Sequence, residues 1–292
     1  MRNIKIAAIQ MACQGTVSEN IDKADSLVRD AAKNGANIIL LPELFETRYF
    51  CQERNYEYYK LATTVDSNAA INHFKNVCAE LKIVMPISFF EKSGNTTFNT
   101  VAIIDADGSV LGTYRKTHIP DDHYYQEKFY FSPGDTGFKV WDTAYARIGV
   151  GICWDQWFPE SARCMALMGA EVLFYPTAIG SEPILECDSM PHWQRVMQGH
   201  SAANIIPLVA ANRIGTEVVT ATEENGEQNS SLTFYGSSFI TDETGAVIEQ
   251  ADRTCEGYIS YETDLDKVSE MRSSWGLFRD RRPELYSPIM HL

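Results

Sequence analysis

The chain has 292 residues, 45% of them hydrophobic and 22% charged, and 39 acidic residues against 25 lysines and arginines give a formal net charge of −14. This composition is typical of a globular protein with a sizeable core, and it excludes disordered, collagen-like and disulfide-stapled chains. A nucleic-acid partner is not expected because no basic stripe is present, and the acidic field disfavours phosphate and anionic lipid.

The first half of the chain predicts an alternation of strands and helices that ends in a hairpin. Apolar residues at helical spacing indicate the helices, fully apolar runs indicate strands buried on both faces, and the turn-forming residues of Asp105–Gly108 mark the hairpin. The predicted elements are strand Ile4–Gln10, helix Asn20–Lys33, strand Asn37–Leu41, helix Ser67–Leu81, strand Ile83–Phe89 and hairpin strands Asn99–Ile104 and Val110–Tyr114.

An irregular, aromatic-rich stretch over Lys116–Asp135 separates this half from a second one of similar order. The second half predicts strand Ala146–Cys153, helix Pro159–Met168, strand Glu171–Tyr175, helix Pro191–Asn204, strand Pro207–Ala211 and a hairpin around Asp242–Gly245. No linker divides the chain, so we expect a single domain over residues 1–292, with the last ~15 residues an extension used in subunit contacts.

Two pieces of sequence recur at nearly the same offset. GANIILLPE at 35–43 is echoed by GAEVLFYPT at 169–177, an offset of 134, and the hairpin glycines Gly108 and Gly245 lie 137 apart. Helix-glycine-strand units also recur by chance in α/β proteins. The matching offsets nevertheless predict one α/β domain with internal pseudo-twofold symmetry, in which two sheets pack together and helices cover them.

The start of the chain and its cysteines bear on the compartment. MRNIKIAAIQ lacks the apolar stretch of a signal peptide, and the uncharged apolar runs are too short to span a bilayer. The seven cysteines are odd in number and no pair has C-x-x-C spacing, so we expect reduced thiols, mostly buried. These observations predict a cytoplasmic protein.

Three predicted strands end at a residue with useful chemistry. Glu43, Lys116 and Cys153 each follow a strand, and functional groups in α/β proteins tend to lie beyond such strand ends. Cys153 falls between a strand and a helix, which places its sulfur at a sharp corner where a backbone N–H can help to bind an oxyanion. A lone buried thiol is more often structural, so the combination of three residues carries the interpretation.

The histidines offer a competing interpretation of the base. His118 and His123 lie near the candidate site, and a Cys–His pair is chemically reasonable. Together with Asp121 and Asp122 they could also be read as a metal cluster. Their spacing is not that of a known ligand signature, however, and the aspartates after Pro120 are common turn residues. We therefore expect no metal.

These residues lie in motifs that resemble the nitrilase (carbon–nitrogen hydrolase) superfamily over nearly the whole chain: LLPELF, YRKTHIP, YYQEKFYFSPGD and GICWDQWFPE. The resemblance implies an α-β-β-α sandwich and a site without metal or organic cofactor. It implies that Glu43 is the general base, Lys116 stabilises the oxyanion, Cys153 is the nucleophile and Glu127 orients the lysine. It also implies a homo-oligomer, a dimer or larger.

Within the superfamily the chain is most similar to the N-carbamoylputrescine amidases, on PELF, KTHIPDD, EKFYFSPGD, CWDQWFPE, GSEP and HWQRVMQGH. D-amino-acid carbamoylases carry an arginine pair after the nucleophile, where this chain has Gln156 and Trp157, and true nitrilases usually have Cys-Trp-Glu where it has Asp155. The resemblance implies hydrolysis of N-carbamoylputrescine to putrescine, carbon dioxide and ammonia, in polyamine biosynthesis, through a carbamoyl intermediate on the cysteine.

The small-molecule substrate's distal amine is cationic, so its pocket is expected to offer a carboxylate and aromatic walls. Glu182 is the first candidate for the carboxylate, with Asp121 and Asp122 as alternatives, and Trp154 and Tyr49 are the candidate walls. The alternatives left open are another amidase or carbamoylase with a different amine or acid substrate, a non-catalytic scaffold, and a cysteine–histidine hydrolase.

Overall fold

The computed structural model describes residues 1–181 and 187–291. The strands of the first half are β1 (Asn3–Gln10), β2 (Ile38–Leu40), β3 (Met85–Ser93), β4 (Thr96–Ile104) and β5 (Val110–Arg115), and its helices are α1 (Val17–Lys33) and α2 (Ala69–Leu81). The second half contains β6 (Val140–Asp142), β7 (Arg147–Val150), α3 (Pro159–Leu167), β8 (Val172–Pro176), β9 (Gly180–Ser181), α4 (Met190–Asn204), β10 (Leu208–Ala211), β11 (Ile214–Val219), β12 (Ser230–Tyr235), β13 (Phe239–Thr241), β14 (Val247–Gln250), β15 (Gly257–Asp264) and α5 (Leu265–Trp275).

The strands of the first half form one layer with β15 at its edge. β1 pairs in parallel with β2 and antiparallel with β15, and β3, β4 and β5 form an antiparallel meander. A parallel bridge between Ile38 and Val84 joins the two groups. The strand order across the layer is therefore β15-β1-β2-β3-β4-β5.

The second layer repeats this order with different strands. It is a six-stranded sheet in the order β6-β7-β8-β10-β13-β14, in which β7, β8 and β10 are parallel and the two edges are antiparallel. Helices α3 and α4 connect its parallel strands, as α1 and α2 do in the first layer. The predicted internal pseudo-twofold symmetry is therefore confirmed. A small third sheet, β9-β12-β11, lies beside the two layers.

Side chains that alternate along each central strand fill three layers of core. In β1, Ile6 and Ala8 belong to the core between the two sheets, whereas Ala7 and Ile9 belong to the core under α1 and α2. A third core lies between the second sheet and helices α3 and α4, around Trp193. Burial on both faces explains why these strands read as continuous apolar runs. The predicted α-β-β-α sandwich is confirmed.

Three local features differ from the sequence prediction. Helix α1 begins earlier than predicted because Thr16 and Glu19 form a capping box at its N-terminus. Strand β7 ends at Val150, three residues before the predicted end at Cys153, and Cys153 follows the strand as expected of the strand-end position. The hairpin β11–β12, strand β15 and helix α5 were not predicted. No helix among the described residues is long and apolar enough to cross a membrane.

Candidate active site

Cys153 opens a short 3₁₀ helix, Cys153–Trp157, directly after strand β7. Its backbone φ is +41°, in the left-handed region that non-glycine residues rarely adopt, and such strain is concentrated at functional sites. The side chain of Asp155, fully buried, holds the corner by accepting from the Ile152 amide at 2.9 Å and the His118 amide at 3.0 Å. The thiol is 5% exposed, and its sulfur lies 3.9 Å from the carbonyl oxygen of Ala178.

Glu43 is fully buried just after strand β2, and a second left-handed residue, Leu44 with φ +49°, follows it. One carboxylate oxygen, Oε1, accepts from Lys116 Nζ at 2.8 Å and from Asn99 Nδ2 at 2.6 Å. The other oxygen, Oε2, is buried and has no hydrogen-bond partner among the described residues. A buried, unpartnered carboxylate oxygen is costly, so it indicates a group that receives a proton or a ligand.

Lys116 lies between two carboxylates. Its Nζ donates to Glu43 Oε1 and, at 2.6 Å, to Glu127 Oε2, and all three side chains are fully buried. The lysine backbone is fixed on both sides, because its N–H donates to the Asn99 carbonyl and its carbonyl accepts from Gly134, each at 2.8 Å. A Cβ at Gly134 would approach the carbonyl oxygen of Arg115 to 2.1 Å, so only glycine fits against this turn.

Burial and the two carboxylates set the protonation of the site. Burial by itself lowers the pKa of Lys116, but Glu127 and Glu43 outweigh it and hold that pKa well above its usual value. Burial, with the charge of Glu43, raises the pKa of Glu127 to about 7 against the opposing effect of Lys116. The pKa of the Cys153 thiol is raised well above its usual value by burial and then by Glu43. Cys153 therefore rests as a thiol, which would need a base to act as a nucleophile.

Tyr49, predicted as an aromatic wall for the substrate, is not among the residues that line the cavity over Cys153 described below. It is 1% exposed, and its hydroxyl donates to Glu127 Oε1 at 2.7 Å. Its ring packs edge-on against Tyr125 and Phe234. The aromatic ring therefore belongs to the layer behind the site, where its hydroxyl orients the second glutamate.

A cavity of about 410 Å³ opens over Cys153. Its described lining residues are Pro120, Asp121, Asp122, Tyr125, Cys153, Trp154, Trp157, Ala178, Ile179, Ser189 and His192. Two carboxylates and several aromatic rings thus face the same space as the nucleophile, and no lysine or arginine is among these described residues. Trp154 is 37% exposed and packs edge-on against Trp157, as expected of a cavity wall. Glu182, the first candidate for the amine-binding carboxylate, lies outside the described residues.

His118 and His123, the two histidines predicted near the site, contact other residues, and a third histidine, His192, lines the cavity. The His118 ring stacks on Phe158 with centroids 3.6 Å apart, and its Nδ1 lies 2.7 Å from Asp155 Oδ1. His123 is exposed and packs against Tyr124. Neither lines the cavity over the thiol. Within residues 1–181 and 187–291, no group of three or more His, Cys, Asp or Glu side chains has an arrangement that could hold a metal ion.

Three residues at the site were missed by sequence reasoning. Asn99 binds Glu43 from the middle of strand β4, where no local signal marks it, and Asp155 fixes the cysteine corner from a motif position noted only as a departure from true nitrilases. Arg213 donates to the carbonyl oxygen of Glu43. It follows the end of strand β10, so the strand-end rule that singled out Glu43 and Lys116 applies to it as well.

With this geometry described, comparison with known proteins is informative. The family model for Carbon-nitrogen hydrolase matches residues 5–273. The chain belongs to the carbon–nitrogen hydrolase family. An N-carbamoylputrescine amidase from Oryza sativa subsp. japonica is 54% identical over 99% of this chain and 95% of its own length. A citrullinase from Francisella tularensis is also 54% identical, over 99% of both chains. The solved structure of a carbon-nitrogen hydrolase from Helicobacter pylori G27 is similar with a TM-score of 0.89 and 35% identity, and 99% of both chains is covered.

In this carbon–nitrogen hydrolase, the site brings together the Cys153 thiol, a buried Glu43 oxygen without a partner among the described residues, and the buried ammonium of Lys116. The carboxylate can take the thiol proton, and the ammonium can stabilise negative charge that develops on a substrate oxygen. The arrangement suits acyl transfer through a covalent thioester.

Proposed function

We propose that this chain hydrolyses N-carbamoylputrescine to putrescine, carbon dioxide and ammonia. The main support for this substrate is the charge of the cavity over Cys153. Its described lining contains Asp121 and Asp122 and no lysine or arginine. Such a cavity favours a substrate with a cationic distal end over one with a carboxylate. The 54% identity to the Oryza sativa N-carbamoylputrescine amidase supports the same substrate.

The first step is the attack of the Cys153 sulfur on the carbamoyl carbon. Glu43 takes the thiol proton on Oε2, the oxygen that has no other partner among the described residues. The carbonyl π bond opens, and the oxyanion is stabilised by the ammonium of Lys116 and the backbone N–H of Trp154. Since Glu43, Lys116 and Glu127 are fully buried and do not line the cavity, we place the small –NH₂ end of the carbamoyl group toward them and the alkyl chain in the cavity.

The second half of the reaction returns the enzyme to its resting state. Glu43 gives its proton to the leaving nitrogen, the carbon–nitrogen bond breaks, and ammonia departs from a Cys153-bound alkylcarbamoyl thioester. Glu43 then takes a proton from water, which attacks the thioester carbon, and the thiolate leaves and is reprotonated. The alkylcarbamate that is released loses carbon dioxide to give putrescine. Glu127 holds Lys116 in place throughout, with its second oxygen bound by Tyr49.

Ammonia release from a panel of ureido compounds tests this proposal. A charge-assisted contact to the distal ammonium contributes about 1.5–3 kcal/mol, so kcat/KM for N-carbamoylputrescine should exceed that for uncharged butylurea by about one to two decades. Citrulline and N-carbamoyl-β-alanine, whose distal ends carry a carboxylate, should be poorer substrates. A preference for citrulline, the substrate named for the Francisella tularensis relative, would overturn the assignment but leave the thioester chemistry standing.

Carboxylate variants identify the group that binds the ammonium. Asp121→Asn and Asp122→Asn each remove one negative charge from the cavity and preserve the side-chain shape. The one that contacts the ammonium should lower kcat/KM for N-carbamoylputrescine and spare butylurea. The matched control is Glu249→Gln, which removes an exposed carboxylate on the edge strand β14. Equal losses on both substrates would assign the aspartates to loop stability, and Glu182 would then be the remaining candidate.

We also propose that the C-terminal residues after helix α5 form part of a contact between copies of this chain. They expose several large apolar side chains: Leu285 at 63%, Ile289 at 63% and Met290 at 78%. Light scattering after size exclusion should give the mass of a homo-oligomer for the unmodified chain. Replacement of Leu285 and Ile289 by serine should lower that mass, and an unchanged mass would place the contact elsewhere.

A further inference from the structure

Arg213 is a fully buried arginine behind the site that the proposed mechanism does not use. It follows strand β10, and it does not line the cavity over Cys153. Its Nε and Nη2 donate to the carbonyl oxygen of Glu43 at 3.1 and 3.0 Å, and Nη2 also donates to the carbonyl oxygen of Leu44. One guanidinium therefore binds two successive backbone carbonyl oxygens, that of Glu43 and that of Leu44.

The backbone at this point needs such an anchor. Leu44 has a φ of +49°, a conformation that persists in a non-glycine residue only where the surroundings hold it. Its N–H is bound by the hydroxyl of Ser88 at 3.2 Å, so the turn is fixed from one side by Ser88 and from the other by Arg213. The direction of the Glu43 side chain depends on this turn, because the carboxylate leaves the backbone one residue before it.

A second route leads from Arg213 to the other carboxylate. Its Nη1 lies 3.2 Å from Glu217 Oε1, and Glu217 Oε2 accepts from the Tyr49 backbone N–H at 2.7 Å. The hydroxyl of Tyr49 donates to Glu127. The guanidinium carbon also lies 5.8 Å from the centre of the Tyr49 ring, within the range of a cation–π contact. Arg213 and Glu217 thus form a buried ion pair that is connected to both glutamates of the site.

We propose that Arg213 is a positioning residue, which holds Glu43 in the geometry for proton transfer from Cys153 and, through Glu217 and Tyr49, holds Glu127 against Lys116. This inference rests on the proposed role of Glu43 as the base. Arginine suits this place better than lysine, because its planar guanidinium holds five N–H donors on three separate nitrogens in a fixed arrangement, whereas the three donors of an ammonium share one nitrogen.

Arg213→Lys tests the proposal, since it keeps the positive charge and removes the planar guanidinium with its several N–H donors. A displacement of the base by about 1 Å costs up to about 100-fold in rate, so kcat should fall by about 10- to 100-fold. KM should change less than about threefold, because Arg213 touches no substrate. The pH profile for the alkylation of Cys153 by iodoacetamide, followed on its peptide by mass spectrometry, should differ from that of the wild type in the same sense as the profile of Glu43→Gln, because both changes take the carboxylate away from the thiol.

Arg272→Lys is the matched control. Arg272 is a partly buried arginine that also donates to backbone carbonyls, to Ile205 at 3.2 and 3.0 Å and to Ala170 at 3.3 Å, but away from the site. It should retain kcat and the alkylation profile. A wild-type kcat and profile in Arg213→Lys, or equal losses in both variants, would overturn the proposal.

A fold check and a second variant complete the test. If Arg213→Lys does not give a folded protein by circular dichroism, Glu217→Gln is the variant that tests the proposal. It leaves the contacts of Arg213 with the backbone carbonyls and removes the negative charge that pairs with Arg213. A smaller loss in the same direction is expected, and an unchanged alkylation profile would refute the proposal. Alkylation needs no substrate, so it reports the position of Glu43 even if N-carbamoylputrescine proves not to be the substrate.

Discussion

The protonation of Glu127 should make the stability of this protein depend on pH in an unusual direction. Its carboxyl group is fully buried, and its neighbours are Lys116 at 2.6 Å and the hydroxyl of Tyr49 at 2.7 Å. Lys116 is shared with Glu43, so one positive charge serves two carboxylates. Burial and Glu43 therefore prevail over the lysine and raise the pKa of Glu127 from 4.5 to about 7.

The sign of the effect follows from which state holds the proton. Between pH 4.5 and about pH 7 the folded protein keeps a proton that the unfolded chain has released. The free energy of unfolding therefore falls as pH rises through this window, by at most about 1.4 kcal/mol per pH unit. Over the whole window this group removes about 3 kcal/mol, and above it the loss is complete.

Glu127→Gln isolates this contribution. Glutamine is neutral at every pH, and its amide oxygen can accept from Lys116 while its amide nitrogen donates to the hydroxyl of Tyr49. The difference in unfolding free energy between variant and wild type should therefore shift by about 3 kcal/mol in favour of the variant from pH 4.5 to above pH 7. Titrating groups that do not interact with Glu127 cancel in this difference.

Urea unfolding followed by circular dichroism at a series of pH values measures the difference in unfolding free energy between variant and wild type. The protein concentration is kept fixed, because an oligomer's stability depends on concentration. A difference that does not change with pH would refute the argument that Glu127 is held neutral. A shift in the opposite direction would mean that Lys116 keeps it as a carboxylate.

Three further predictions concern the nucleophile, metals and the lysine turn. Cys153→Ala should abolish turnover and the mass adduct formed with substrate, whereas Cys164→Ala, at an exposed thiol, should keep both; appreciable turnover by the first variant contradicts the thioester mechanism. Activity should survive exhaustive chelation, because no metal-holding cluster is found in the described ranges 1–181 and 187–291, and activity that returned only with a divalent ion would contradict this. Gly134→Ala should lower both kcat and the melting temperature, because its Cβ would lie 2.1 Å from the Arg115 carbonyl oxygen. Gly199→Ala, in helix α4 with nothing within 4 Å of the new Cβ, should be neutral or stabilising by about 1 kcal/mol, and a similar loss in both would remove the case for the lysine turn.

The missing arginine pair shows how far local sequence comparison reaches. The two positions where carbamoylases carry arginines are Gln156 and Trp157 in this chain, and the structure places their side chains in different surroundings. Gln156 is fully buried and accepts from the Thr177 hydroxyl, whereas Trp157 lines the cavity. Neither is a cation, which is already evident from the sequence. The sequence could not tell which of the two faces the substrate, because adjacent residues of a 3₁₀ helix point in different directions.

By itself the sequence determined most of the strands and helices of the two main layers, the internal repeat and the residues at the strand ends. These are local properties, since burial on both faces makes a strand continuously apolar and the end of a strand is marked by the first polar residue. Only the tertiary structure decided which charges share one buried space. Arg213 reaches Glu43 across 170 positions of sequence, and Tyr49 reaches Glu127 across 78. The raised pKa of Glu127 and the positioning role proposed for Arg213 depend on these distant contacts, because the energy of a charge is set by its burial and its neighbours in space.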